Sequence, residues 1–229
     1  VQHLKRDLER LKREILSMGA LVEQATTGAM DAVKRRDPEL ARSIVEGDRK
    51  IDEKEIEVEE ECLKVLALHQ PVAQDLRFIV ATLKVNNDLE RIGDLAQNIS
   101  KRAIVLIETP EAAFPPDLHR MMDRVRSMVS RSLDSLVRQD AGTARSVLKD
   151  DEEVDDLHGK MYREMQARMI EDPARVKDWV GMLSISRYLE RIADLSTNIA
   201  EDVIFTVEGE VVRHGGWESG PRHEAGYDE

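Results

Sequence analysis

The amino-acid sequence predicts an all-α fold: two tandem three-helix bundles built from six long antiparallel helices. Three observations carry that prediction. Aromatic residues make up only 3% of the 229 residues while charged ones reach 35%, the balance of a helical bundle rather than of sheets, which draw on Tyr, Phe and Thr. Apolar residues recur at steps of three and four over long stretches, the stripe of an amphipathic helix. Finally, the second half of the chain repeats the first.

Leu4, Leu8, Leu11, Ile15, Met18, Val22, Ala25, Ala29 and Val33 draw the first helix. Asp37-Pro38 places a capping acid before a proline at the first helical position and opens a second, which runs through Leu40, Ile44, Gly47, Ile51, Val58, Cys62 and Val65 to His69. Pro71 starts a third, through Leu76, Leu83 and Ile92 to Ile107. Three prolines between Thr109 and His119 prevent a continuous helix and mark a linker. Met121, Val125, Met128, Ser132 and Leu136 give the fourth helix, Asp140 opens the fifth, and Asp172-Pro173 caps a sixth reaching Val207. The expected organisation is therefore one bundle over 1–108, a linker over 109–119, a second bundle over 120–208, and a polar, disordered tail over 209–229.

The repeat rests on polar matches that an apolar rhythm does not require. Asp37 to Glu53 aligns with Asp140 to Asp156 at an offset of 103, pairing Asp48 with Asp151 and Asp52 with Asp155. Leu89 to Ile99 aligns with Leu189 to Ile199 at an offset of 100, repeating Glu90, Arg91, Asp94 and Asn98 as Glu190, Arg191, Asp194 and Asn198. The second and third helices are thus copied as the fifth and sixth.

Composition excludes several functions. A net charge of −12 argues against a nucleic-acid binder. No apolar run is long enough for a spanning helix and the N-terminus is not signal-like, so a soluble, cytoplasmic protein is expected. The single cysteine, Cys62, has no disulfide partner or metal motif and reads as a small buried hydrophobe. There is no glycine-rich phosphate loop and no nucleophile motif. His69, His119 and His158 read as boundary or surface residues, and Met121, Met122, Met128, Met161, Met165 and Met169 as packing.

The candidate site is the repeated acid pair. Each copy sets Glu and Asp four residues apart, opposite the stripe of Leu89, Ile92, Ala96 and Ile99 or of Leu189, Ile192, Ser196 and Ile199, with Asn98 or Asn198 one turn on. Like charges at that spacing repel unless offset. The residues leave two readings open: a solvated face balanced by arginines such as Arg91 and Arg191, or a cation site. For a cation, oxygen donors without His or Cys suit magnesium, manganese or iron, and Asp48 and Asp52, or Asp151 and Asp155, would add oxygens from the neighbouring helix. A small residue, Gly93 or Ala193, stands between the acids of each copy, where a bulky side chain would crowd anything bound; Gly93 costs about 1 kcal/mol against alanine inside a helix, which suggests a close approach there.

Together with Gln70-Pro71-Val72-Ala73-Gln74-Asp75-Leu76-Arg77 and the run from Tyr188 to Glu201, these motifs resemble the PhoU family of bacterial phosphate signalling, over residues 4–208. The resemblance implies two side-by-side three-helix bundles, with multinuclear metal clusters, commonly iron, on the acid motifs, here Glu90 and Asp94, and Glu190 and Asp194. It also implies negative regulation of phosphate uptake and of the starvation response, through contacts with the ATPase of a phosphate ABC transporter and a sensor histidine kinase. Membranes would be met only through those partners. Long amphipathic helices favour a homodimer or higher assembly. The second repeat departs from the pattern at Tyr188 and Ala193 and has Asp172 to Trp179 in place of the Gln70 to Arg77 motif. The alternatives are a metal-binding scaffold or adaptor in another pathway, and a di-iron carboxylate enzyme. The latter usually needs Glu-x-x-His pairs, which do not follow Glu90 or Glu190.

Overall fold

The structure, a computed structural model, describes residues 2–108 and 113–209. The expected tail from 210 onward and the centre of the linker, 109–112, lie outside the described residues. The described helices are α1 (Gln2–Arg35), α2 (Pro38–Gly47), α3 (Arg49–His69), α4 (Ala73–Ile107), α5 (Pro116–Arg138), α6 (Ala141–Glu171) and α7 (Val176–Glu208), with a 3-10 turn, Pro173–Arg175, before α7.

Caps read from the sequence do their work at two of three places. Asp37 Oδ1 accepts from the Leu40 amide at 3.0 Å, and Asp140 Oδ1 accepts from the amides of Gly142 and Thr143 at 2.9 and 3.2 Å. Asp172 makes no such bond: Pro173 begins a 3-10 turn there, and α7 starts three residues later. The expected second helix is in two segments. Ile51 N donates to Asp48 O at 2.7 Å, a one-turn tightening beside Gly47, while Asp48 keeps right-handed helical dihedrals of −55° and −39°, so the helix direction carries on. The copy of this stretch in α6 is uninterrupted. Likewise α5 starts at Pro116, inside the segment expected to be linker.

α1, α2–α3 and α4 pack together as one bundle and α5, α6 and α7 as the other; α4 lies on α7 and α1 on α5. Four helices therefore form the centre, and α3 and α6 touch only their own repeat, one on each flank. α4 and α7 run antiparallel: Lys84 Nζ binds Asp202 Oδ1 at 2.9 Å near one end, and a Cβ on Gly181 would lie 3.0 Å from Leu106 Cδ2 near the other. The core is continuous across both repeats, from Leu11 and Ile15 through Leu89 and Ile92 to Met121, Met128, Leu189 and Ile192. Met121, Met122, Met128, Met161 and Met165 are fully buried packing residues and Met169 packs at the edge, as expected. Cys62 is buried too, its thiol pushed up to about 12 by burial and then by Glu59 and Glu61, which leaves it unreactive.

No described helix is long and apolar enough to cross a membrane.

Candidate functional site

α4 and α7 carry the recurring acids. Glu90 is half-buried and Asp94 exposed; across from them on the flanking helix, Asp48 is buried and Asp52 exposed. Gly93 sets this approach. A Cβ there would lie 3.0 and 3.1 Å from Cδ1 and Cγ2 of Ile51, and 3.7 Å from Asp48 Oδ1. The close contact the sequence suggests at Gly93 is therefore made by Ile51 of α3, and that contact brings Asp48 to the acids of α4. Ile51 and Gly93 correspond through the repeat to Val154 and Ala193, both fully buried. One pair is large with none and the other smaller with small, with the same number of side-chain carbons in each.

The result is an electrostatic cluster in each repeat. Burial, then the charges of Asp52 and Asp94, push the Asp48 carboxyl up to about 6, with Lys101 opposing. Glu90 is raised by burial, then by Asp94, Asp52, Glu55 and Asp48. In the second repeat burial, then Asp155, Asp194 and Glu190, push Asp151 up to about 6. Glu190 is raised by burial and by Asp155, and Asp194 by burial, Glu190 and Asp155, with Arg191 opposing both. All eight acids singled out from the sequence thus fall into two sets of four.

The asparagines do not follow them equally. Asn98 is half-buried one turn beyond Asp94, whereas Asn198 is exposed and stands near the Asp88 carboxylate of the other repeat, whose charged form it favours. Asp88 belongs to a group that sequence reasoning missed, comprising Asp88, Asp202, Lys84 and Asn198 at the seam between α4 and α7. Burial, then Asp202, push Asp88 up to about 6, while Arg91, Asn198 and Lys84 oppose. The one sequence signal for it was the exchange of Asp88 for Tyr188 between repeats.

The two clusters also differ at their rims. Glu55, beside Glu90, corresponds through the repeat to His158. That histidine is half-buried, and its Nδ1 lies 2.8 Å from the hydroxyl of fully buried Ser186, so it is tied to the core rather than free at the surface. His69 is half-buried, 2.9 Å from Asp7 Oδ2, and His119 sits edge-on to Phe114.

The donor set has the chemistry of a hard-cation site: carboxylates only, mutually repelling, with Asp151 Oδ1 buried and without a hydrogen-bond partner. The side chains as they stand do not converge on one point. Among the described residues no three His, Cys, Asp or Glu side chains are close enough to hold a metal ion.

Compared with known proteins, the chain matches the PhoU domain twice, over residues 15–103 and 118–203, one match on each repeat. The chain belongs to the PhoU family. Its PhoU relatives include a "phosphate-specific transport system accessory protein PhoU homolog" of Aquifex aeolicus, 38% identical over 211 residues, covering 92% of this chain and 96% of that one. The crystal structure of PhoU from Pseudomonas aeruginosa superposes with a TM-score of 0.87 at 38% identity, over 90% of this chain and 99% of that one. The phosphate transport system regulatory protein PhoU from Streptococcus pneumoniae gives 0.85 at 28%, over 92% and 100%. The PhoU fold expected from the motifs is thus the fold observed.

Proposed function

We propose that this chain is a cytoplasmic regulator of phosphate uptake that holds the phosphate-starvation response off when phosphate is plentiful. It acts without catalysing a reaction, by contacting the ATPase of a phosphate ABC transporter and a sensor histidine kinase, and it works as a homodimer. The observation that carries this reading is membership of the PhoU family along nearly the whole chain, in both repeats, among relatives named as accessory proteins of phosphate-specific transport. The test is alkaline phosphatase activity of the source bacterium in phosphate-rich medium. Deletion of the gene is expected to raise it and the gene in trans to restore it; unchanged activity refutes the regulatory reading.

The acid clusters are the chain's cation sites. Glu90 and Asp94 with Asp48 and Asp52 would hold one group of iron, manganese or magnesium ions, and Glu190 and Asp194 with Asp151 and Asp155 the other. A bound cation offsets the burial and the mutual repulsion that raise Asp48, Glu90, Asp151, Glu190 and Asp194. Purified protein carrying Glu90→Gln with Asp94→Asn is expected to lose part of its metal by elemental analysis, and adding Glu190→Gln with Asp194→Asn the rest. Full retention removes these residues from the site.

A further inference from the structure

A cleft of 320 Å³ opens between α1 and α3, far in sequence from the acid pairs of α4 and α7, and is lined by Arg6, Asp7, Arg10, Arg13, Lys64 and Leu68. Four basic residues and one acidic residue line it, in a chain whose net charge is −12. The one carboxylate is already committed. Asp7 is bonded to His69 at 2.9 Å and to Arg6 at 3.4 Å, and these contacts, the His69 bond first, hold it below the ordinary aspartate range. Behind the cleft, the buried Glu61 stands 3.7 Å from Arg10 and 3.5 Å from Lys64 through its Oε2. Those separations are ion pairs without close hydrogen bonding, so Glu61 positions the two cations and leaves most of their donors free for another acceptor. Arg13 acts on Glu14, which is itself already bonded to Lys54.

Three arginines on successive turns of one helix, with a lysine across from them, are the residue types that bind a tetrahedral oxyanion. Each guanidinium can present paired N–H donors to two oxygens, and the ammonium supplies a point charge. We propose that this cleft binds a phosphate group, free or as the head of a small phosphate ester, with Arg6, Arg10, Arg13 and Lys64 as its donors. This site is separate from the cation clusters, and it stands or falls independently of the regulatory reading, which is tested in cells.

The experiment is equilibrium dialysis of the full chain against labelled inorganic phosphate at low ionic strength, after treatment with a chelator so that no metal mediates uptake. One saturable site per chain is expected, weakened by added salt. Arg6→Gln with Arg13→Gln, neither of which touches buried Glu61, should weaken it at least about tenfold with the helical signal intact. Arg102→Gln with Lys177→Gln, exposed cations elsewhere, should leave it unchanged. Absence of saturable uptake, or equal loss in the two double variants, overturns the proposal. Competition by glycerol phosphate as strong as by phosphate shows that an ester head is read, and its failure shows that free phosphate is; both sustain the site.

Discussion

At the scale of single residues, charge buried beyond what the neighbouring cations offset sets the behaviour. Asp48, Asp88 and Asp151 are each pushed up to about 6, so the folded state favours their protonated forms. Stability from these groups is complete below the unfolded value near 3.8 and is lost as pH rises through about 6. Chelator-treated protein is therefore expected to melt at a higher temperature at pH 5 than at pH 7.5, by circular dichroism. Asp88→Asn should raise stability at pH 7.5 by about 1–2 kcal/mol and flatten the profile, since a neutral amide is cheaper to bury there than a carboxylate and no longer faces Asp202 as a charge. A lower melting temperature at pH 5 would refute this account. Packing adds a second prediction. Gly93→Ala pushes against Ile51, and Ile51→Val leaves a gap, so the double variant should be more stable than the sum of the singles by about 1 kcal/mol in denaturant titrations. Additive effects would mean that α3 shifts freely on α4.

Among the helices, what could be read from the sequence was what is decided locally. Asp37 and Asp140 cap because a short acid before a helix reaches amides two or three residues on, a matter of neighbours in the chain. Asp140→Ala should accordingly cost about 1 kcal/mol in chemical denaturation, and Asp172→Ala, which loses no such bond, much less. The hitch at Asp48 and the 3-10 turn at Pro173 escaped because each is a compromise between local rhythm and the neighbouring helix. The same limit applies to the site. The acid pairs on α4 and α7 were legible from spacing alone, and Asp48 and Asp52 from the repeat, but the register that joins them is set by Ile51 against Gly93. Asn198 and Asp88 show the same limit: they are 110 residues apart in the chain and neighbours only because α4 and α7 are antiparallel.

For the molecule as a whole, the duplicated halves share one core, since α1, α4, α5 and α7 bury their apolar faces on one another. The chain should therefore unfold in one cooperative step, with circular dichroism and the fluorescence of Trp179, read in a Trp217→Phe variant, coincident. Two separate transitions would show that the repeats are energetically independent. Buried Trp179 is a suitable reporter, held between Arg168 and Arg175 at 5.2 and 4.7 Å where α6 turns into α7. The compensated pairs, Ile51 with Gly93 and Val154 with Ala193, also bear on how such a gene can change. A recombination between the two halves that falls inside either hairpin would set Ile against Ala, one carbon too many, or Val against Gly, one too few. Exchanges that carry a whole hairpin keep the fit, so the hairpin, rather than the helix, is the smallest unit this gene can safely shuffle.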